Sequence, residues 1–214
     1  MRRETGNKGT YLELTVFWLF SCGIIFLDPH VSNLTSQLYL YTMKPKTPKD
    51  SLSISTHHVL PNDTNNLNNL FGGRLLEWMD IIAAIAAHRH CRRVVVTATV
   101  NHVSFHAPIP YASIVTLEAK VSRSFNSSME VIIDVWVENP VSGDRTRSNE
   151  AIYTFVAVDQ NGTPLPVPQI IPETDEEKAR FEGALRRRQL ALILAGKMKP
   201  AEATELKALF MENE

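Results

Sequence analysis

The stretch SLSISTHHVL (51–60) alternates apolar and polar positions, and Leu52, Ile54 and Val59 mark it as a first strand. The Asn-rich run that follows, PNDTNNLNNLFGG (61–73), has the composition of a turn-forming loop. RLLEWMDIIAAIAAHRH (74–90) then shifts to helical length without Gly or Pro, and its segment 81–87 carries no polar side chain. A helix apolar all round is a buried helix, and its alanines let other elements approach the backbone closely. Four β-rich runs come next, at 93–106, 113–124, 129–139 and 149–159, joined by APIPYA, FNSS and NPVSGDRTRS. The short FNSS link predicts that the second and third of them form a hairpin. One strand, one buried helix and a meander of four strands make an α+β fold. Beyond GTPLPVPQIIP, the segment TDEEKARFEGALRRRQLALILAG predicts a charged helix with its acids in the first turns and Glu182–Arg186 at i,i+4. KPAEATELKALFMENE predicts a short last helix.

The first forty-five residues do not follow this pattern. Arg2, Arg3 and Lys8 precede an uncharged run, Leu14–Leu27, that falls short of the roughly 20 residues a membrane span needs. The run looks like a signal-peptide core behind a basic start, but no small-x-small cleavage site follows it. Met43 and the polar, Pro-containing KPKTPKDSLSIS read instead as the opening of a cytosolic protein, which would make the arm a mis-annotated start. The expected organisation is an extension at 1–45, a folded domain at 46–172 and a helical tail at 173–214. Membrane contact is expected only if the apolar segment of the extension is real.

Composition narrows the function classes. In 214 residues with 44% apolar content there is material for one well-cored domain. Lys plus Arg is 22 against 23 for Asp plus Glu, so no global field gathers phosphates, which disfavours a general nucleic-acid binder. Two cysteines, Cys22 and Cys91, make neither a disulfide framework nor a zinc site. The chain has no G-x-S-x-G elbow, Walker A loop, dinucleotide fingerprint or H-E-x-x-H. Its histidines (His57–His58, His88/His90, His102/His106) read as polar side chains at element ends rather than metal ligands.

Two features carry chemistry. Asp80 is an acid within WMDIIAAIAA, on a helix expected to be buried. Burial of a carboxylate raises its pKa toward the range of a general base. The competing reading is a polar stripe, in which Glu77 and Asp80, three residues apart, share a solvated edge. The second feature is Asn68-Asn69-Leu70-Phe71-Gly72-Gly73, where two glycines open the helix and leave its first N–H groups sterically free. Those groups and the positive helix end can polarise a carbonyl, while an Asn side chain beside them orients a water. An ordinary Asn/Gly turn has the same composition.

NLFGGRLLEWMD, AAIAAHRHC, TATVNHVSFHAPI, SRSFNSSMEV and YTFVAVDQNGTPLPVPQIIPETDEEKARFE occur in this order over about residues 51–190. The pattern N-x-x-GG-x₅-MD, together with the LPVPQIIPETDEEKARFE tail, resembles the hotdog-fold acyl-CoA thioesterases of the cytosolic long-chain hydrolase group and their bacterial relatives. The resemblance implies an antiparallel sheet wrapped around the central helix and hydrolysis of fatty acyl-CoA in the cytoplasm, without metal or organic cofactor. It assigns catalytic roles to Asn69, Asp80 and Gly73: Asp80 as the base toward water, or the nucleophile of a mixed anhydride, Asn69 positioning the water or substrate, and the Gly73 amide on the thioester oxygen. Arg123, Asn126, Ser127 and Ser128 fall where relatives contact CoA. One hotdog domain, where animal members often carry two, implies a homodimer or a trimer of dimers with Asn69 and Asp80 from different subunits. A hydroxyacyl dehydratase on the same fold and a non-catalytic acyl-CoA-binding protein are the alternatives. The first lacks a histidine near Asp80 in sequence, and the second lacks a DNA-binding segment.

Overall fold

The computed structural model describes residues 43–105 and 107–211. The apolar run Leu14–Leu27 and the other calls on residues 1–42 therefore lie outside the described residues. No described helix is long and apolar enough to cross a membrane.

The elements in chain order are β1 (Ser53–His58), α1 (Gly72–Cys91), β2 (Val94–Phe105), β3 (Ile114–Ser124), β4 (Ser128–Glu138), β5 (Arg145–Val158), α2 (Asp175–Leu194) and α3 (Thr204–Met211). The strands form one antiparallel sheet in the order β1-β3-β4-β5-β2, with β3 and β4 as the expected hairpin. Strands β1 and β2 are consecutive in sequence but lie at opposite edges. The helix between them must therefore cross the sheet, and it does so on the concave face. This is the expected α+β architecture, a curled sheet with a helix packed inside it.

Period-two alternation decides which side chains meet that helix. Val115, Leu117, Ala119 and Val121 of β3, Met129, Val131, Ile133 and Val135 of β4, and Tyr153, Phe155 and Ala157 of β5 are all buried on the inner face. Leu75, Met79, Ile82, Ala83, Ala86 and Ala87 of α1 answer them.

Two expectations need correction. The helix is not apolar-buried all round: Ile81 and Ile85 are 53% and 41% exposed, because one sheet covers only one side of a cylinder. The last strand also starts earlier than 149, at Arg145. Cross-strand pairing on the outer face extends it. Arg145 reaches Glu118 at 2.8 Å and lies over the Trp136 ring, and Arg147 pairs with Asp134 and Glu150. The connection contracts to a tight turn closed by Asn139 N–H donating to the Asp144 carbonyl at 2.9 Å, with Gly143 at φ +75°.

Helix α2 begins with a capping box in which Thr174 accepts from the Glu177 amide. It docks on the outer face through ion pairs. Arg187 grips Glu130 at 3.0 and 2.7 Å, Arg180 reaches Asp134 at 2.9 Å, and Lys120 reaches Glu177 at 3.2 Å. Glu130 is 3% exposed, so this is a desolvated pair whose loss would strand a buried charge.

The far end of α1 is pinned differently. Lys46 donates to the Arg89 and His90 carbonyls, the last acceptors of the helix. His90 is fully buried and donates from Nε2 to the Pro168 carbonyl at 2.8 Å, while its Nδ1 has no partner among the described residues. Burial holds the His90 pKa below its ordinary 6.5, and the nearby Lys46 ammonium adds to the effect. Below pH 6.5 the unfolded chain takes up this proton and the folded one does not, so the contribution of neutral His90 is lost as pH falls. Lowering pH from 7.5 to 5.5 should thus destabilise the wild type more than His90→Gln in urea titrations. Equal losses in the two proteins would rule out this role.

Candidate active site

The loop between β1 and α1 is fastened at nearly every residue. Asp63 accepts from the Leu60 amide at 3.1 Å and from Arg74 Nε at 2.9 Å, tying the loop to the first turn of α1. The Phe71 amide donates to the Asp63 carbonyl at 2.8 Å, and Leu70 N–H donates to the Ile109 carbonyl at 2.7 Å. Asn65 folds the loop on itself. Its Oδ1 accepts from the Leu67 and Asn69 amides at 2.9 and 3.3 Å, and its own N–H donates to the Asn69 carbonyl at 2.7 Å. Asn68 has φ +56°, a left-handed turn conformation that Asn tolerates better than most residues. The stretch that reads as a plain turn is a rigid cradle.

That cradle walls a cleft of about 390 Å³. Asn65, Asn69 and Gly72 form its polar rim, and Leu70, Leu75 and Ile109 its apolar floor. The N-terminal amides of α1 open beside it: those of Gly72 and Gly73 donate to none of the described residues. With the helix dipole behind them, they favour a developing negative charge on a carbonyl oxygen. Gly73 is exposed and is not part of the lining, a place that Gly72 takes. A side chain at Gly73 would meet the Phe71 ring, with a Cβ only 2.5 Å from its Cε1.

Asp80 lies elsewhere. Eight residues into α1 place it about 12 Å along the axis from Gly72, and the lining of the cleft ends at Leu75. The Asp80 carboxylate is half-buried and accepts from Thr97 Oγ1 on β2 at 2.9 Å. Its charge, after burial, is the second reason that the Tyr153 phenol is pushed up to about 12. Glu77 pairs with Arg74 at 2.7 Å on the exposed side. The described histidine contacts go to Ser55 and Trp78 (His57), Arg93 (His88) and Pro168 (His90), none of them to Asp80. No group of side chains suited to a metal occurs among the described residues.

At the β3–β4 turn, Arg123 and Asn126 line a second cleft, of about 410 Å³. Ser127 offers its carbonyl to the Ala157 amide. Ser128 is buried and accepts from Arg188 at 2.8 Å, so its hydroxyl serves the packing of α2. Sequence reasoning passed over Asn65 and Thr97. An Asx turn at Asn65 is the one readable signal among them; a threonine in an alternating strand carries none.

Residues 67–143 match the thioesterase superfamily model. The chain is 45% identical over 139 residues to the acyl-CoA thioester hydrolase YkhA of Bacillus subtilis, covering 65% of this chain and 81% of that one. It is 38% identical to the cytosolic acyl coenzyme A thioester hydrolase of Rattus norvegicus over 65% of this chain, and spans 37% of that longer protein. A solved hexameric acyl-CoA thioesterase is similar at 38% identity and a TM-score of 0.69, over 72% of this chain and 98% of the other. The acyl-CoA hydrolase of Staphylococcus aureus, solved with butyryl coenzyme A and coenzyme A, is similar at 35% identity and a TM-score of 0.66, over 71% and 94%. That enzyme has also been solved with alanine at an asparagine, at an aspartate fifteen residues later, and at a threonine seventeen residues beyond it.

The tight place at Gly73 is testable without reference to chemistry. Ala gains about 1 kcal/mol of helix propensity over Gly, while the clashing Phe71 ring is exposed and free to swing aside. Gly73→Ala should therefore melt within about 4 °C of wild type. A larger drop in a thermal melt would show that the ring is fixed in place.

Proposed function

This chain belongs to the thioesterase superfamily, and we propose that it is a fatty acyl-CoA hydrolase whose site is completed by a second copy of the chain. The observation that carries the reading is the separation of the two halves of the chemistry on one protomer. The Asn-lined cleft and the helix amides lie at one end of α1, and the Asp80–Thr97 pair lies further along it. The surfaces that would bring two copies together are bare. Strand β2 is a sheet edge with residues 96–101 exposed, Val96 and Val100 among them, and Ile81 and Ile85 stand open on α1. Pairing two β2 edges antiparallel would continue the sheet and bury these side chains. The hexameric relative supports assembly of several copies, and three such pairs would make a trimer of dimers.

In the assembled site, Asp80 of one copy takes a proton from water, which attacks the thioester carbonyl held at the cleft of the other. Negative charge develops on the carbonyl oxygen against the helix amides. The C–S bond then breaks, and the CoA thiolate leaves and is protonated. Thr97 keeps the carboxylate oriented. Direct attack by Asp80 to give a mixed anhydride uses the same geometry. Asn65, Asp80 and Thr97 have the same separations as the three residues exchanged in the S. aureus enzyme, which favours Asn65 over Asn69 as the donor toward water or substrate. Its Oδ1 is occupied by the loop amides, whereas its Nδ2 has no partner among the described residues. Asn69 then forms the second wall of the rim. CoA crosses the β3–β4 turn at Arg123 and Asn126. The cytosolic relatives and the buried thiol of Cys91 fit a cytoplasmic enzyme.

Asp80→Asn should fold normally and lower kcat on palmitoyl-CoA by about 10²–10⁴-fold. Activity within about threefold of wild type, or 0.65 kcal/mol, would remove Asp80 as base or nucleophile. The shared site is tested by mixing. Asn65→Ala and Asp80→Ala homodimers should each be nearly inactive. Co-refolded in equal amounts, half the dimers are mixed and each holds one intact site, so about a quarter of wild-type activity returns. No recovery, with heterodimers proven by mass spectrometry, would place both residues of a site on one chain. Recovery with Asn69→Ala in place of a fully active Asn65→Ala would return the role to Asn69.

A further inference from the structure

Tyr153 of β5 stands on the concave face of the sheet among apolar neighbours, 1% exposed, with its ring 6.4 Å from that of Phe155. Its phenol reaches α1 and donates to the Leu76 carbonyl at 3.4 Å. That carbonyl has no need of it. Within a continuous α-helix, Leu76 C=O already accepts from the amide four residues on, which is the amide of Asp80. A phenylalanine would fill the same space without taking a hydroxyl out of water, which is costly unless the hydroxyl is well bonded. Tyr153 is not in the lining of the Asn-rimmed cleft, so the hydroxyl is not placed to touch substrate there.

What the hydroxyl does reach is the turn that carries Asp80. The Asp80 carboxylate is held by Thr97 Oγ1 of β2 at 2.9 Å, and the backbone of the same turn is held by Tyr153 of β5. The two strands are neighbours, with Thr97 opposite Phe155 and Val100 opposite Tyr153. The ladder between them shifts register at Thr97/Thr99 and again at Val100/His102. Such irregularities re-aim side chains, and here they fall where hydroxyls from two strands converge on one turn of α1. The phenol also feels the carboxylate: its pKa is pushed up to about 12, by burial first and then by the charge of Asp80. The hydroxyl therefore remains protonated, and a donor, throughout the neutral range.

We propose that Tyr153 is a positioning residue for Asp80: together with Thr97, its hydroxyl fixes the rotation and depth of the Leu76–Asp80 turn, and with them the point from which the carboxylate acts. A hold on the carboxylate alone leaves the helix free to roll about its own axis. A second hold, on the backbone one turn earlier, removes that freedom. Reacting groups displaced by a fraction of an ångström lose rate steeply, so a buried anchor away from the cleft can still govern kcat. The inference rests on the thioesterase reading and deepens it with a residue of β5, beyond the matched segment 67–143.

Tyr153→Phe keeps the ring and removes the hydroxyl. It should fold and lower kcat on palmitoyl-CoA about fivefold, the effect of one hydrogen bond, with KM within about twofold of wild type. In an Asp80→Asn background the same exchange should change kcat by less than about 1.5-fold, because a residue that acts through the carboxylate has nothing left to position. Equal losses of kcat in the two backgrounds overturn the proposal, as does an unaltered kcat in both, whatever the melting temperature does. Hydrogen exchange at single amides gives an answer that needs no hydrolysis. Tyr153→Phe should speed exchange at the Asp80 amide about fivefold more than at the Ala83 and Ala86 amides further along α1. A uniform rise along the helix marks general loosening, and no rise marks a hydroxyl without hold; either result refutes the anchor. If wild type cleaves no thioester yet the Asp80 amide responds in this selective way, the thioesterase reading fails and the anchor stands.

Discussion

The domain depends on how closely α1 can lie against the concave face of the sheet. Ala83, Ala86 and Ala87 are fully buried there, and their small side chains let the helix backbone settle among Leu117, Val131, Ile133 and Phe155. A larger residue at any of them would push the helix outward and open the floor of the whole core, since protein interiors are packed too densely to absorb it locally. The position of everything chemical follows from this contact. Gly72 reaches the cleft, and Asp80 reaches Thr97, because α1 is one continuous 20-residue element held at fixed depth.

Much of this was legible in the chain. The change from period two to helical spacing at residue 74, the alanine-rich half of the helix and the short FNSS link gave the helix, the hairpin and the α+β class. What local patterning could not carry were contacts made from a distance. Arg145 and Arg147 look like turn residues until Glu118 and Asp134 stand opposite them. Ile81 and Ile85 look buried because the absence of polar side chains says nothing about which side the sheet covers. Asp80 was legible as an acid in apolar company, but its partner Thr97 lies seventeen residues on and belongs to a strand edge. Asn65 was hidden by plenty: in a run with five asparagines, composition cannot say which one closes the loop with its side chain.

The two faces of the sheet divide the work by polarity. The inner face is apolar and holds α1, where area buried sets the strength of the contact. The outer face is charged, and α2 is held to it by directional pairs, of which Arg187–Glu130 is the most deeply buried. Such pairs contribute little net energy compared with an apolar replacement, but they fix register, because a shift of one turn would leave Glu130 and Asp134 desolvated and unmatched. Register matters here. It decides that Arg187 faces Glu130 and that Arg188, one residue and about 100° further round the helix, faces Phe125 instead.

An edge strand exposed on both faces is normally a hazard, since it offers unpaired N–H and C=O groups to any passing chain. β2 carries no proline between Val94 and Phe105, and none of its exposed valines is replaced by a charge. Apart from register shifts at Thr97/Thr99 and Val100/His102, this edge carries neither the prolines nor the charges by which monomeric sheets discourage pairing, and it presents Ile81 and Ile85 on the helix alongside. Such an edge suits a protein whose β2 is paired in the working assembly. In the proposed assembly, Asp80, tied to β2 through Thr97, would be carried to the seam between copies. On that proposal the carboxylate would be positioned by the same strand that recruits the partner, so that assembly and activation would be a single event.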